Sequence, residues 1–145
     1  SIEAPEADSR VYVASAKVGV IALDAANGEA VWTAALPGAN HLLVDGPRVI
    51  AGGRGELQAL DRRSGATIWK VALGRDRYPT QPVIMNGLVL VARDRGPLLG
   101  VDAQTGEPRG EFDPGSGFSQ PVLALPGVAY IVSNGGALFS LGLLP

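Results

Sequence analysis

The chain has 145 residues, nearly half of them apolar, with 20 glycines, 11 prolines, no cysteine and a net charge of −2. That length accommodates one ordinary core, the balance of charge offers no electrostatic basis for binding nucleic acid or an anionic membrane, and the missing cysteine excludes disulfides and thiolate metal sites. No uninterrupted apolar run approaches the roughly 20 residues that span a bilayer, and the best candidate, PVLALPGVAYIV from Pro121 to Val132, is broken by Pro126 and Gly127.

Glycine or proline punctuates the chain every several residues, which favours short strands and tight turns over helices. The opening SIEAPEADSR is acidic and polar and has no signal-peptide character, so an exported protein would be represented here by a mature form or an excerpt. Within it, APEADSR takes the place of a first strand, followed by VYVAS from Val11 and then ALDAANGEAVW from Ala22 to Trp32. The order repeats with NHLLVDG, VIAGG from Val49, and ALDRRSGATIW from Ala59 to Trp69. A third pass reads TQPVIMNG, VLVAR from Val89, and GVDAQTGEPRG from Gly100 to Gly110. The last reads SQPVLALPG, VAYIVS from Val128, and GALFSLGLLP, where Gly142 replaces the aspartate.

Asp24, Asp61 and Asp102 recur 37 and 41 residues apart, and Gly28, Gly65 and Gly106 keep the same offsets. A fixed period of this length marks a repeat architecture. Each unit is expected to be four short antiparallel strands, A to D, in blades spanning approximately 2–37, 38–74, 78–114 and 118–145. Asn-Gly and Ser-Gly at the C–D turns provide the positive φ that hairpin turns require. Alternation is visible in the third strand of the second unit, with Leu57 and Ala59 on one face and Gln58 and Leu60 on the other. The fourth unit stops short of an outer strand, and a bare edge of that kind is a liability.

The pattern Ala-x-Asp-x-x-x-Gly-x-x-x-Trp, carried by Ala22, Asp24, Gly28 and Trp32 and again by Ala59, Asp61, Gly65 and Trp69, resembles the repeat of the quinoprotein-like (PQQ-like) β-propellers. That superfamily includes quinoprotein alcohol dehydrogenases and the outer-membrane assembly lipoprotein BamB, and the non-enzymatic, BamB-like members are closest in character. The resemblance covers almost the whole chain and implies an all-β propeller segment of about four blades. It implies that each tryptophan lies flat between blades against the small alanine of a neighbouring turn, burying about 200 Å² worth a few kcal/mol. Aspartates 24, 61 and 102 are expected to accept turn N–H groups, with the three glycines left-handed. Gly110 stands where a third tryptophan belongs, so the third seam should be packed differently. Rings of this repeat have about 7 or 8 blades, so the chain is expected to be half of one, completed by another chain or by the rest of the same polypeptide.

Catalytic constellations are weak. Both tryptophans are accounted for as seams, no calcium-loop spacing follows DAANGE, and the vicinal disulfide of quinoprotein sites is impossible without cysteine. His41 is the only histidine, and GSGFS, from Gly115, lies in a loop rather than a strand-to-helix elbow. GGRGE, from Gly52, has no helix after it to cradle phosphate. No cofactor, metal or catalytic residue is assigned.

One pattern remains. In a propeller the B–C and D–A loops share a face, which places Lys17, Arg54, Arg93 and Arg95 beside Arg75 and Arg77, with Tyr78 and Phe118 at the same rim. Asp76, Asp94, Asp113 and Glu56 share that face, so these cations either pair locally and solubilise the loops or form a protein-binding rim of arginine and aromatic composition. The resemblance favours a non-catalytic scaffold for protein–protein contact in a periplasmic or cell-surface setting, with no nucleic acid and no membrane span. A ligand-sensing domain of a larger receptor and a fragment of a PQQ-dependent dehydrogenase are the alternatives.

Overall fold

The computed structural model describes residues 10–74, 79–93, 97–112, 122–125 and 128–142. They form four antiparallel sheets in which each strand pairs with its neighbours in sequence, and no helix occurs among them. The first sheet contains β1 (Arg10–Ser15), β2 (Gly19–Asp24) and β3 (Ala30–Ala35). The second contains β4 (His41–Asp45), β5 (Arg48–Gly53), β6 (Glu56–Asp61) and β7 (Thr67–Ala72). The third contains β8 (Val83–Met85), β9 (Leu88–Val91), β10 (Leu98–Asp102) and β11 (Pro108–Phe112). The fourth contains β12 (Leu123–Leu125), β13 (Val128–Val132) and β14 (Leu138–Gly142). The stretch expected to open the first unit, APEADSR, lies outside the described residues except for Arg10.

Turn chemistry sets the hairpins. Asn86 and Gly87 both take positive φ, 52° and 75°, between β8 and β9, the conformation a two-residue hairpin turn demands. Pro108 opens β11, an edge strand, where its missing N–H leaves no ladder bond unmade. After Ala22, Ala59 and Gly100 the third-strand to outer-strand pairing shifts register, so the turn that follows is reached through the same bulge in three sheets.

Side chains alternate across each strand, so each inner sheet has two apolar faces and the core lies between sheets. Tyr12, Val20, Ala22 and Trp32 of the first sheet meet Leu42, Val49, Ala51 and Leu60 of the second. The opposite face of the second sheet, with Ile50, Leu57, Ala59 and Trp69, meets Val89, Val91, Leu99 and Val101 of the third. Met85, Leu90 and Leu98 then meet Ala129 and Ile131 of the fourth, whose other face leaves Leu123, Val132 and Leu138 exposed. Sheets stacked face to face in chain order, each a meander, make this an all-β segment of a β-propeller.

Candidate functional site

The repeated motif builds the seams. Asp24 Oδ1 accepts the N–H of Ala26 at 2.7 Å, Asp61 Oδ1 those of Arg63 and Ser64 at 2.8 and 3.1 Å, and Asp102 Oδ1 those of Gln104 and Thr105 at 2.8 and 3.1 Å. The backbone N–H of Arg63, and then that of Ser64, hold the Asp61 carboxyl below the usual range. Those of Gln104 and Thr105 do the same for Asp102. Gly28, Gly65 and Gly106 close the turns with φ of 75°, 77° and 75°, and each donates its N–H to the carbonyl of its aspartate at 2.8 Å.

Each tryptophan covers the glycine of the neighbouring turn, where the sequence reading expects an alanine. Ala22 is the cross-strand partner of Trp32 within the first sheet, and Ala59 that of Trp69 within the second. Each indole crosses the seam onto the glycine of the following turn: a Cβ built on Gly65 would stand 2.6 Å from Trp32 Cδ2, and one on Gly106 2.7 Å from Trp69 Cδ2. The indole N–H then donates to the carbonyl three residues before that glycine, Trp32 to Arg62 at 3.1 Å and Trp69 to Ala103 at 2.9 Å. A bare peptide in the left-handed conformation presents a flat surface that a side chain would cover. The alanine is small for a different reason, because its own sheet places the ring directly opposite it.

Sequence reasoning missed the clamp around the first lock. Arg10 donates to the carbonyls of Arg62 and Arg63, both at 2.8 Å, while Arg62 Nε donates to the Tyr12 hydroxyl at 3.1 Å. The Arg62 guanidinium carbon lies 5.8 Å from the Tyr12 ring centroid, and that ring is 5.9 Å from the indole of Trp32. In the third seam Gly110, opposite Gly100, has no ring to offer, and Phe112 instead meets Phe139 edge to face at 4.7 Å.

Of the cations selected as a rim, Lys17, Arg54 and Arg93 lie among the described residues. Lys17 and Arg54 line one depression of about 400 Å³ over the first seam, with Ala16, Val18, Ala35, Leu36, Pro37 and Gly38. Arg93 is drawn into the second seam, donating from Nε to the Pro97 carbonyl and from Nη1 to the Leu73 carbonyl, both at 3.0 Å. Arg75, Arg77, Tyr78, Arg95 and Phe118 lie outside the described residues, as do Asp76, Asp94 and Asp113. Glu56 accepts from Gln58 Nε2 at 2.7 Å and stands 3.8 Å from Lys70 Nζ.

His41 Nδ1 sits 3.0 Å from Gln81 Oε1, and Gln81 Nε2 donates to the Leu42 carbonyl. Because the amide nitrogen is committed to that carbonyl, the histidine nitrogen is the donor to Gln81. Among the described residues no group of three or more His, Asp or Glu side chains could hold a metal ion.

Antiparallel three- and four-stranded blades, with tryptophan-on-glycine locks at the first two seams, define the class, a PQQ-like β-propeller. A family profile described as outer membrane protein assembly factor BamB matches residues 2–53 and 53–142. The chain belongs to that family. It is 27% identical over 134 residues to the outer membrane protein assembly factor BamB of Escherichia coli strain K12, covering 90% of this chain and 34% of the relative. The crystal structure of BamB from Moraxella catarrhalis superposes with a TM-score of 0.75 at 25% identity, over 92% of this chain and 42% of that one. A quinohemoprotein alcohol dehydrogenase from Pseudomonas putida HK5 superposes with a TM-score of 0.71 at 21% identity, over 87% of this chain and 27% of that one. The last likeness concerns the fold alone. The chain thus spans 34% of the length of the curated relative it matches.

Proposed function

We propose that this chain is part of a non-catalytic β-propeller scaffold that holds protein partners during outer-membrane protein assembly in the cell envelope. A further chain, or further sequence of the same polypeptide, completes its ring. The observation that carries this reading is the depression over the first seam, where Lys17 and Arg54 flank the apolar Leu36 and Pro37. Val18, half exposed at its edge, adds apolar surface that a partner would cover. Cations around an apolar floor suit an acidic, partly apolar segment of another protein. Membership of the BamB family supports the setting, and the engagement of Trp32, Trp69 and the three motif aspartates in the blades supports a structural role for the repeat.

Photo-crosslinking from a benzoyl-phenylalanine at Val18, in the full-length protein within its own cells, tests the reading. Crosslinks to identified components of the outer-membrane assembly machinery are expected, and they should disappear in the Lys17→Glu/Arg54→Glu variant. Absence of such crosslinks, or their persistence in the double variant, would overturn it.

A further inference from the structure

The net charge of −2 hides one place where arginines gather without acids to pair them. Arg10 opens β1, and its side chain crosses the first seam beside that of Tyr12 to the turn after β6, which carries Arg62 and Arg63. Arg10 spends Nη1 on the carbonyls of Arg62 and Arg63. Arg62 gives Nε to the Tyr12 hydroxyl and Nη1 to the Gly46 carbonyl at 3.3 Å. Every one of these acceptors is neutral, and a guanidinium has further donors. Arg10 keeps Nε and Nη2, Arg62 keeps Nη2, and the exposed Arg63 side chain makes no hydrogen bond or ion pair.

The carboxylates nearby are committed elsewhere. Asp45 pairs with Arg48 at 2.8 Å, Asp24 Oδ1 accepts the N–H of Ala26, and Asp61 Oδ1 accepts those of Arg63 and Ser64. Asp61 senses the charge of Arg63 without pairing with it. Among the described residues no carboxylate forms an ion pair with Arg10, Arg62 or Arg63. One blade on, beside the corresponding turn, Arg109 is instead neutralised by Asp102 at 3.3 Å and Glu107 at 3.6 Å.

We propose that Arg10 and Arg62, with Arg63 at the margin, form a binding site for a phosphate group, free or carried on a lipid headgroup. Carbonyls and a hydroxyl already pin both guanidinia, so little side-chain freedom is left to lose on binding. A phosphate offers enough oxygens to accept from two arginine forks at once, whereas a carboxylate is filled by one. The site lies at the other end of β1 from the depression over the first seam: Arg10 begins the strand, and Ala16, Lys17 and Val18 follow its end. It goes beyond the scaffold reading and does not rest on it.

The test titrates the full-length, ¹⁵N-labelled protein with inorganic phosphate, and with acetate at the same ionic strength. The protein is also sedimented with vesicles of phosphatidylcholine, alone or mixed with phosphatidylglycerol. Saturable shifts of the Arg10 and Arg62 Nε–H signals are expected with phosphate and not with acetate. Arg10→Lys keeps the charge but loses the fork, and should weaken binding about tenfold. Arg63→Gln should weaken it about threefold, and it leaves the bonds of Arg10 and Arg62 in place, so its effect is not one of unfolding. Arg109→Gln should change nothing, because its charge is already paired. Sedimentation that needs phosphatidylglycerol assigns the phosphate to a lipid headgroup, and shifts without sedimentation assign it to a soluble phosphate; both uphold the site. The proposal is overturned if millimolar phosphate moves neither arginine signal, or if acetate moves them equally. An effect of Arg109→Gln as large as that of Arg63→Gln overturns it as well, since binding would then follow total charge.

Discussion

Gly65 has no side chain because Trp32 stands where one would be: its ring carbon Cδ2 lies 2.6 Å from the point a Cβ would occupy. The pair is 33 residues apart and joins two sheets, so the glycine of one blade and the indole of the blade before it form one structural unit. Two costs fall together on any substitution there. The left-handed backbone disfavours an L side chain by about 1–2 kcal/mol, and the displaced ring adds an overpacking cost of about 1–3 kcal/mol. Gly65→Ala and Gly106→Ala should therefore destabilise by about 2–5 kcal/mol. Gly28→Ala, with the same φ and nothing within 4 Å, should lose only the backbone part. Urea unfolding of the three variants checks this, and equal losses at all three would contradict it.

Trp69→Ala should cost about 3–5 kcal/mol through the cavity it leaves. Trp69→Phe keeps most of the packing but strands the Ala103 carbonyl, which accepts from the indole inside the second seam, and should cost about 1–3 kcal/mol. Chemical denaturation of both variants separates packing from hydrogen bonding. A phenylalanine variant as unstable as the alanine one would assign the lock to the N–H bond alone.

Gly110 is exposed, its φ is outside the left-handed region, and a Cβ there meets nothing within 4 Å. Gly110→Ala should stabilise by about 0.5–1 kcal/mol by restricting the unfolded chain. A measured loss would show that the third seam needs the space.

Acid should weaken the turns. The folded-state pKa values of Asp61 and Asp102 are lowered by backbone N–H groups. Their contribution is complete above the ordinary carboxylate value of 3.8 and is lost as pH falls through the lower folded values. The melting temperature should therefore drop below about pH 4, and the drop should be shallower in the Asp61→Asn/Asp102→Asn variant. Circular dichroism melts from pH 3 to pH 7 measure it, and parallel curves for the two proteins would refute it.

The blades were legible from the spacing of Asp24, Asp61 and Asp102, because a hairpin that must turn left-handed leaves a short-range mark in glycine and aspartate. The partner of each tryptophan was not. Alanine and glycine recur with equal regularity in the motif, and only the stacking of sheets shows that Ala22 faces Trp32 within a blade while Gly65 faces it across the seam. Arg93 was placed on one loop face with the other cations, but whether a guanidinium points outward or bonds a carbonyl of the preceding blade depends on backbone 20 residues away. The Arg10–Arg62 contact spans 52 residues and joins two cations through a carbonyl, so neither charge nor periodicity announces it.

Because every lock takes its ring from one repeat and its glycine from the next, the joint is indifferent to which repeat comes next. Excising residues 38–74 would bring the indole of Trp32 to Gly106, whose turn has the φ and hydrogen bonds of the one it lost. Gain or loss of a whole blade by unequal recombination would therefore keep the tryptophan-on-glycine lock at the new seam, and only contacts peculiar to one seam, such as the clamp of Arg10 and Tyr12 on Arg62, would have to be rebuilt.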